Sequence, residues 1–152
     1  KTLSKNKTGK SITPSMPINN LTLDLDGPAM LSFSLPHPKS FTLTFSNDEN
    51  EKLIVGFDST ANQYFIDRTQ AGDTSFASEF AGRHIVPRLS HEKELKLALV
   101  IDNSSIELFG DDGASVMTEV VFPRKAFQRL MITAKETMEL KEFSWRIMKR
   151  AW

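Results

Sequence analysis

The chain has 152 residues, enough for one domain built around a single hydrophobic core. Its composition, 39% hydrophobic and 25% charged, is that of an ordinary globular protein, and no apolar run approaches the roughly 20 residues of a membrane-spanning helix. The 19 basic and 19 acidic residues cancel, so no overall field favours nucleic acid or an anionic membrane, and the absence of cysteine excludes disulfides and thiolate metal sites.

The first 20 residues are polar and carry Pro14 and Pro17 without apolar periodicity. We interpret residues 1–20 as a linker or entry segment, with one short strand near Ile12, and residues 21–152 as the folded domain. The chain starts at Lys1 without a Met and without the basic, apolar and small-residue pattern of a signal peptide. This start predicts that the chain is an internal piece of a longer polypeptide.

From residue 21 onward, apolar and polar residues alternate, which is typical of antiparallel strands packed on one side. The alternation predicts strands in residues 21–25, 31–35 and 41–45, separated by turns that contain Gly, Pro, Asn and Asp. Residues 52–58 and 63–69 are more continuously apolar and predict central strands, and residues 70–94 predict an irregular segment.

The alternation resumes at residue 95 and continues to the end of the chain. Asn103 and Ser104 form a connection of hairpin length, and residues 111–113 mark another turn. A single helical turn is expected over residues 126–130. The predicted strands of this half are residues 95–101, 106–108, 116–122, 130–134 and 138–148.

The last strand changes the face on which its apolar residues lie. Met138 and Leu140 share one face, but the apolar residues from Phe143 onward are one position out of phase. A β-bulge near Lys141 and Glu142 would bring both sets to the same face. About ten strands without a convincing helix predict an all-β fold, a sandwich or a barrel.

The predicted strand of residues 63–69 contains three candidates for a functional site, which are Tyr64, Asp67 and Arg68. Asp67 and Arg68 could clamp sugar hydroxyls, one as acceptor and one as donor. They could instead form an ion pair that pins the following loop or a loop of a neighbouring domain, and we favour that structural role. Tyr64, the only tyrosine, is a candidate for stacking on a sugar, although a strand tyrosine with a bonded hydroxyl is commoner.

Asp102 and Glu107 flank the predicted hairpin and resemble a carboxylate pair. Glycoside hydrolysis needs two carboxyl groups separated by about 5.5 Å or by about 6.5–9.5 Å. The same residues can serve the turn, because an Asp side chain accepts backbone N–H groups that follow it. No acid stands opposite a nucleophile in this pattern, so we do not expect catalysis from the pair.

Other kinds of site have no support in the sequence. His37, His84 and His91 lack the spacing of metal ligands, so no metal and no other cofactor is predicted. No phosphate-binding Gly loop and no nucleophile elbow occurs. Basic residues do not cluster with aromatic ones, so no nucleic-acid partner is expected.

Four large aromatic residues have predicted structural roles. Phe76 and Phe80 are expected to plug the core beneath the irregular segment. Trp145 fits an apolar strand face and is predicted to lie in the core. Trp152 follows two basic residues at the end of the chain and is either an anchor of the last strand or an accident of where the chain is cut.

Four short segments, in this order, resemble a known family. They are Asn-Gln-Tyr-Phe-Ile-Asp-Arg-Thr-Gln-Ala-Gly-Asp-Thr-Ser-Phe at 62–76, Phe-Ala-Gly-Arg-His at 80–84, Ile-Asp-Asn-Ser-Ser-Ile-Glu-Leu-Phe at 101–109 and Thr-Glu-Val-Val-Phe-Pro at 118–123. The combination resembles the C-terminal β-sandwich of the glycoside hydrolase family 32 fructosidases, which are invertases, inulinases and levanases. The similarity extends over residues 31–147.

The resemblance implies a two-sheet antiparallel β-sandwich of the jelly-roll or concanavalin-like kind. It implies as partner an N-terminal five-bladed β-propeller of the same polypeptide, which carries the catalytic acids in motifs of the Asn-Asp-Pro-Asn, Arg-Asp-Pro and Glu-Cys type. None of these motifs occurs in this chain, so no catalytic residue can be carried over. The implied function is a non-catalytic domain that stabilises or docks on the catalytic domain of a fructan- or sucrose-hydrolysing enzyme, periplasmic or extracellular in a bacterium.

Two alternatives stay open beside this one. The chain could be a carbohydrate-binding module for fructan, with Tyr64, Arg68, Asp102 and Glu107 as the candidate contacts, or an unrelated lectin-like sandwich. Docking on a propeller requires an exposed apolar face, and the apolar residues of 53–57 and 64–66 are the expected contributors.

Overall fold

The alternating pattern forms β-strands throughout the residues that the computed structural model describes, which are 2–3, 10–12, 16–25, 27–72 and 82–147, with side chains described from residue 20 onward. No helix occurs in these ranges, and so none is long and apolar enough to cross a membrane. The strands in chain order are β1 (Thr2–Leu3), β2 (Lys10–Ile12), β3 (Met16–Asp24), β4 (Ala29–Leu35), β5 (Phe41–Ser46), β6 (Lys52–Asp58), β7 (Gln63–Gln70), β8 (Arg83–Pro87), β9 (Leu95–Ile101), β10 (Ser105–Gly110), β11 (Ser115–Val120) and β12 (Arg129–Ile147).

The strands form two sheets that share β12. The first sheet has the order β1-β3-β12-β5-β6-β7-β8, and the second has the order β2-β12-β4-β9-β10-β11. Every pair is antiparallel except β1 with β3. The predicted all-β, two-sheet antiparallel sandwich is confirmed, and the strand predicted near Ile12 is β2, which pairs with β12. The division of the chain at residue 20 stays a prediction.

The predicted β-bulge in the last strand is present. The register of β12 against β4 shifts between Lys141 and Ser144, and Glu142 has a φ of 53°. A left-handed residue inserted into a strand reverses which side the following residues face. Leu140 before the bulge and Phe143 after it are therefore both fully buried in the same core.

The core lies between the sheets and collects the inward residues of both. Its largest fully buried side chains include Trp145, Tyr64, Phe45 and Phe143, so the predicted core position of Trp145 is confirmed. The ring centroids of Tyr64 and Phe57 are 5.4 Å apart, within the usual range for aromatic pairs. Burial of each such side chain contributes about 1.5–3 kcal/mol to folding.

Two local expectations are wrong. Residues 126–130 form no helical turn, because Gln128 donates its backbone N–H to Ser46 across 2.8 Å and its carbonyl accepts from Leu25 across 2.8 Å, which leads directly into β12. The segment 70–94 is not wholly irregular, because β8 pairs with β7 at the edge of the first sheet. Phe76, Phe80 and Trp152 lie outside the described residues.

The expected origin of an exposed apolar face is also wrong. All the apolar residues of 53–57 and 64–66 except Ile54 are buried within this domain, most of them in its own core. Phe65 and the half-buried Ile54 point away from the core, and Phe65 is 7% exposed beneath Arg83, whose guanidinium carbon lies 3.9 Å from the ring centroid. These two strands therefore supply only Ile54 to an outer apolar surface.

Candidate functional site

The edge strand β8 of the first sheet contacts the edge strand β11 of the second sheet. We call this line of contact the seam. Tyr64 on β7 reaches across it and donates a hydrogen bond of 2.8 Å to Asp111 Oδ2, which follows β10. Arg88, just after β8, donates from Nε to the same oxygen at 2.9 Å and from Nη2 to Oδ1 at 3.1 Å. The two ions and the phenol thus form one closed polar cluster at the seam.

The local backbone makes room for this cluster. A Cβ on Gly110 would lie 2.5 Å from the Tyr64 ring, so only glycine fits beneath it. Asp111 itself has a φ of 55° in the turn between β10 and β11. Burial, and then the hydrogen bond to Asp111, raise the pKa of the Tyr64 hydroxyl well above its ordinary value. The phenol is therefore held neutral as a donor.

A second polar cluster crosses the seam from Arg68. This side chain is 7% exposed, and its Nε lies 3.0 Å from Glu119 Oε1 on β11. Arg68 also donates to the carbonyl of Val120 across 2.7 Å, and His84 Nδ1 lies 2.7 Å from the same Glu119 oxygen. Asp67 does not join this cluster, because its carboxylate accepts from Thr69 instead. The contacts favour the structural alternative for Arg68.

The structure does not bring the four predicted sugar contacts together. Tyr64 and Arg68 are buried and bound to protein groups at the seam. Asp102 is exposed and accepts the N–H of Asn103 across 2.7 Å, and Glu107 is half-buried on β10, where it points away from the core. Sugar binding by these four residues stays a prediction, and no group of His, Asp or Glu in the described ranges has the arrangement of a metal site.

Sequence reasoning missed the partners that define both clusters. Asp111 was expected only as a turn residue, Glu119 only as part of the family-like segment 118–123, and Arg88 carried no signal. Their partners lie 47, 23 and 35 residues away along the chain, so no local pattern could have paired them. The Gly110-Asp111 step was the one local hint, since a glycine at a strand end permits close approach of another group.

The outward face of the second sheet is apolar near β11. Phe109 is the cross-strand partner of Val116 and of Ala98, and Val100 is the partner of Met30. Val116 and Val120 are 48% and 44% exposed. We call the surface of Met30, Ala98, Val100, Phe109 and Val116 the apolar face. Glu107 and Thr118 continue the row of Met30 and Val100, and Val120 lies beyond them opposite Ser105.

The outward face of the first sheet has a different character, because it holds a groove of about 700 Å³. Its floor includes Phe65, and residues 133–136 of β12 form one wall. The polar lining consists of Ser40, Thr42, Asp58, Ser59, Thr60, Arg83, Thr133, Lys135 and Glu136. The outer surface of the second sheet is thus partly apolar, whereas that of the first sheet holds a groove with a mainly polar lining.

Comparison with known proteins identifies the domain. The family model described as glycosyl hydrolases family 32 C terminal matches residues 1–146. The levanase of Bacillus subtilis (strain 168) is 29% identical over 106 residues, which are 68% of this chain and 16% of that protein. The extracellular exo-inulinase of Aspergillus awamori is 36% identical over 97 residues, which are 61% of this chain and 18% of that protein.

Solved structures show the same fold. The crystal structure of exo-inulinase from Aspergillus awamori superposes with a TM-score of 0.77 and 23% identity over 93% of this chain and 29% of that one. The fructofuranosidase from Schwanniomyces occidentalis in complex with fructosylnystose gives a TM-score of 0.75 and 18% identity over 95% of this chain and 33% of that one. The chain therefore spans about a third or less of the length of these relatives. It belongs to the C-terminal, non-catalytic domains of the family 32 glycosyl hydrolases.

Proposed function

We propose that this domain stabilises a fructan- or sucrose-hydrolysing enzyme by packing its apolar face against the N-terminal β-propeller catalytic domain of the same polypeptide. The exposed Val116 and its cross-strand partner, the half-buried Phe109, carry the proposal. Apolar side chains that protrude together from neighbouring strands lose contact with water only when another surface covers them. The small share of each relative that this chain matches supports a catalytic half as the covering partner.

The proposal includes the setting in which the enzyme works. The relative from Aspergillus awamori is an extracellular exo-inulinase. We place the longer protein in the periplasm or outside the cell on this basis.

The test compares one substitution in two contexts. Val116→Asp places a charge in the centre of the proposed interface, so it should lower the free energy of unfolding of the longer protein by about 2 kcal/mol or more. In the 152-residue chain alone the same position faces water, and the cost should stay below about 1 kcal/mol. Differential scanning calorimetry of both proteins measures the two effects.

Ile85→Asp is the matched control, because Ile85 is 52% exposed on β8, the edge strand of the other sheet. It should have the same small effect in both contexts. Equal effects of Val116→Asp in the longer protein and in the isolated chain would refute the apolar face as the docking surface.

A further inference from the structure

The groove on the first sheet is built along one row of cross-strand partners. Thr133 pairs with Thr42, Thr42 with Gly56, and Gly56 with Phe65, so these residues lie side by side on one face. At the usual spacing of about 4.8 Å between strands, the row is about 14 Å long. The groove therefore runs across the strands and suits an extended ligand.

Gly56 lies beneath the floor of the groove. A Cβ at this position would lie 2.6 Å from Cζ of Phe65 and 2.5 Å from the carbonyl oxygen of Phe41. The Phe65 ring therefore lies over the glycine and lines the groove at this point. The volume of about 700 Å³ is in the range of sites that bind small molecules.

The polar lining consists mainly of hydroxyl groups that retain hydrogen-bonding capacity. Thr42 and Thr133 share a hydrogen bond of 2.7 Å, and Ser40 and Ser59 share one of 3.0 Å. Two hydroxyls in one such bond use a single hydrogen, so each pair still offers a second hydrogen and free lone pairs. These groups match the alternating donors and acceptors of a polyhydroxylated ligand.

Arg83 supplies the strongest donor of the groove. Its guanidinium stacks on the Phe65 ring at 3.9 Å, which fixes its plane, and in the described parts of the chain no carboxylate forms an ion pair with it. Its cross-strand partner Asp67 accepts from Thr69 instead. The N–H groups of Arg83 are therefore available to a ligand.

The charges of the groove do not select an ionic ligand. Arg83 and Lys135 are balanced by Asp58 and Glu136, and Glu136 is already paired with Lys39 at 3.2 Å. A phosphate or a carboxylate would be repelled by the two acidic side chains, and a cation would be repelled by the two basic ones. A neutral chain of sugar rings is repelled by neither pair.

We infer that this groove is a binding site for a neutral oligosaccharide, held by Arg83 and by the hydroxyls of Thr42 and Thr133. It lies on the first sheet, away from the apolar face, and it uses none of the four residues predicted from sequence. The inference does not rest on docking of a catalytic domain. A fructan segment is the first ligand to test, because the relatives include a levanase and exo-inulinases.

The probe is a short inulin-type fructo-oligosaccharide, added to the 152-residue chain and followed by amide chemical shifts and titration calorimetry. Shifts are expected at Thr42, Gly56, Arg83 and Thr133, and no shifts at Asp102. Arg83→Met should weaken binding about tenfold or more, since a charged donor is lost. The double variant Thr42→Val/Thr133→Val should weaken it as well without a change of shape.

Matched controls remove the same groups elsewhere. Arg129→Met on β12 and Thr118→Val on β11 are both exposed positions outside the groove, and they should leave affinity unchanged. Absence of heat and of shifts at millimolar ligand would overturn the inference. So would shifts confined to the seam, or an affinity that Arg83→Met leaves intact while the variant stays folded.

Discussion

The hydroxyl of Tyr64 donates a 2.8 Å hydrogen bond to Asp111 Oδ2 and so ties the two sheets together at the seam. Arg88 binds the same carboxylate, and the ring of Tyr64 is fully buried against Gly110. The residue that looked like a sugar-stacking ring in the sequence is thus part of the closure of the sandwich. Its chemistry gives the first test of the structure.

The ionisation of Tyr64 should be delayed to strongly alkaline pH. Burial and the hydrogen bond to Asp111 raise its pKa above the ordinary value of about 10. A raised folded pKa contributes stability that is fully present below about pH 10 and is lost as the pH rises further. Tyr64 is the only tyrosine, so tyrosinate absorbance reports on it alone.

In an alkaline titration the folded chain should show no tyrosinate near pH 10, and the signal should appear together with unfolding. Unfolding the chain with urea at the same pH should make the tyrosinate signal appear immediately. A smooth titration centred near pH 10 in the folded protein would contradict the buried hydrogen bond. Tyr64→Phe should lower the free energy of unfolding by about 1–2 kcal/mol at neutral pH.

Arg68→Ala should be more costly than Tyr64→Phe. It leaves the mostly buried Glu119 carboxylate with only its His84 contact and the Val120 carbonyl without the Arg68 donor, and breaking a buried ion pair from one side costs about 3–5 kcal/mol. Urea unfolding measures the loss. The double variant Arg68→Met/Glu119→Met should recover part of it, because no charge is then stranded.

The same Arg68 variant also tests the sugar contacts predicted from sequence. If Arg68 held sugar and had no structural role, its removal would weaken fructan binding at an unchanged melting temperature. We expect the reverse, a lower melting temperature with no specific loss of affinity. Arg83→Met supplies the comparison, since it should change affinity and leave stability nearly intact.

Glu142→Gly should stabilise the domain by about 0.5 kcal/mol. Glu142 has a φ of 53°, a conformation that costs an L-residue about 1–2 kcal/mol and costs glycine nothing. Glu107→Gly is the control, because Glu107 lies in regular strand β10 and should lose about 1 kcal/mol. A loss of similar size at both positions in urea unfolding would show that the bulge conformation carries no strain.

The fold was largely predictable because its strands are packed on one side. Residues such as Leu95, Leu97 and Leu99 alternate in sequence as they alternate in burial, and the phase change before Phe143 marked the bulge at Glu142. Strand β8 was not predicted because an edge strand that is largely exposed lacks a clear alternation of apolar and polar residues. Its residue Ile85, for example, is exposed.

The site was less predictable, for a physical reason. Tyr64 and Asp111, or Arg68 and Glu119, meet only after the sheets close, so each side chain alone is ambiguous between a ligand contact and a structural one. The groove depends on Gly56 and Phe65 becoming cross-strand partners, which requires the register of β6 on β7. Residue type indicated which side chains form polar contacts, and the topology of the sheets determined which partners they contact.

The 152-residue chain should release no fructose from sucrose, inulin or levan. It belongs to the non-catalytic C-terminal domains of its family, and the exposed Asp102 accepts the backbone N–H of Asn103 in the hairpin turn. A reducing-sugar assay on the purified chain measures this. Release of fructose that Asp102→Ala or Glu107→Ala abolishes would contradict the assignment.

Titration calorimetry of this chain against the separately produced catalytic half of the longer protein is the most direct test of the docking role. We expect micromolar or tighter association with a negative heat-capacity change, the mark of apolar burial. Val116→Asp should weaken it by tenfold or more, and Ile85→Asp should not. Absence of binding, or binding that Val116→Asp leaves unchanged, would contradict docking through the apolar face.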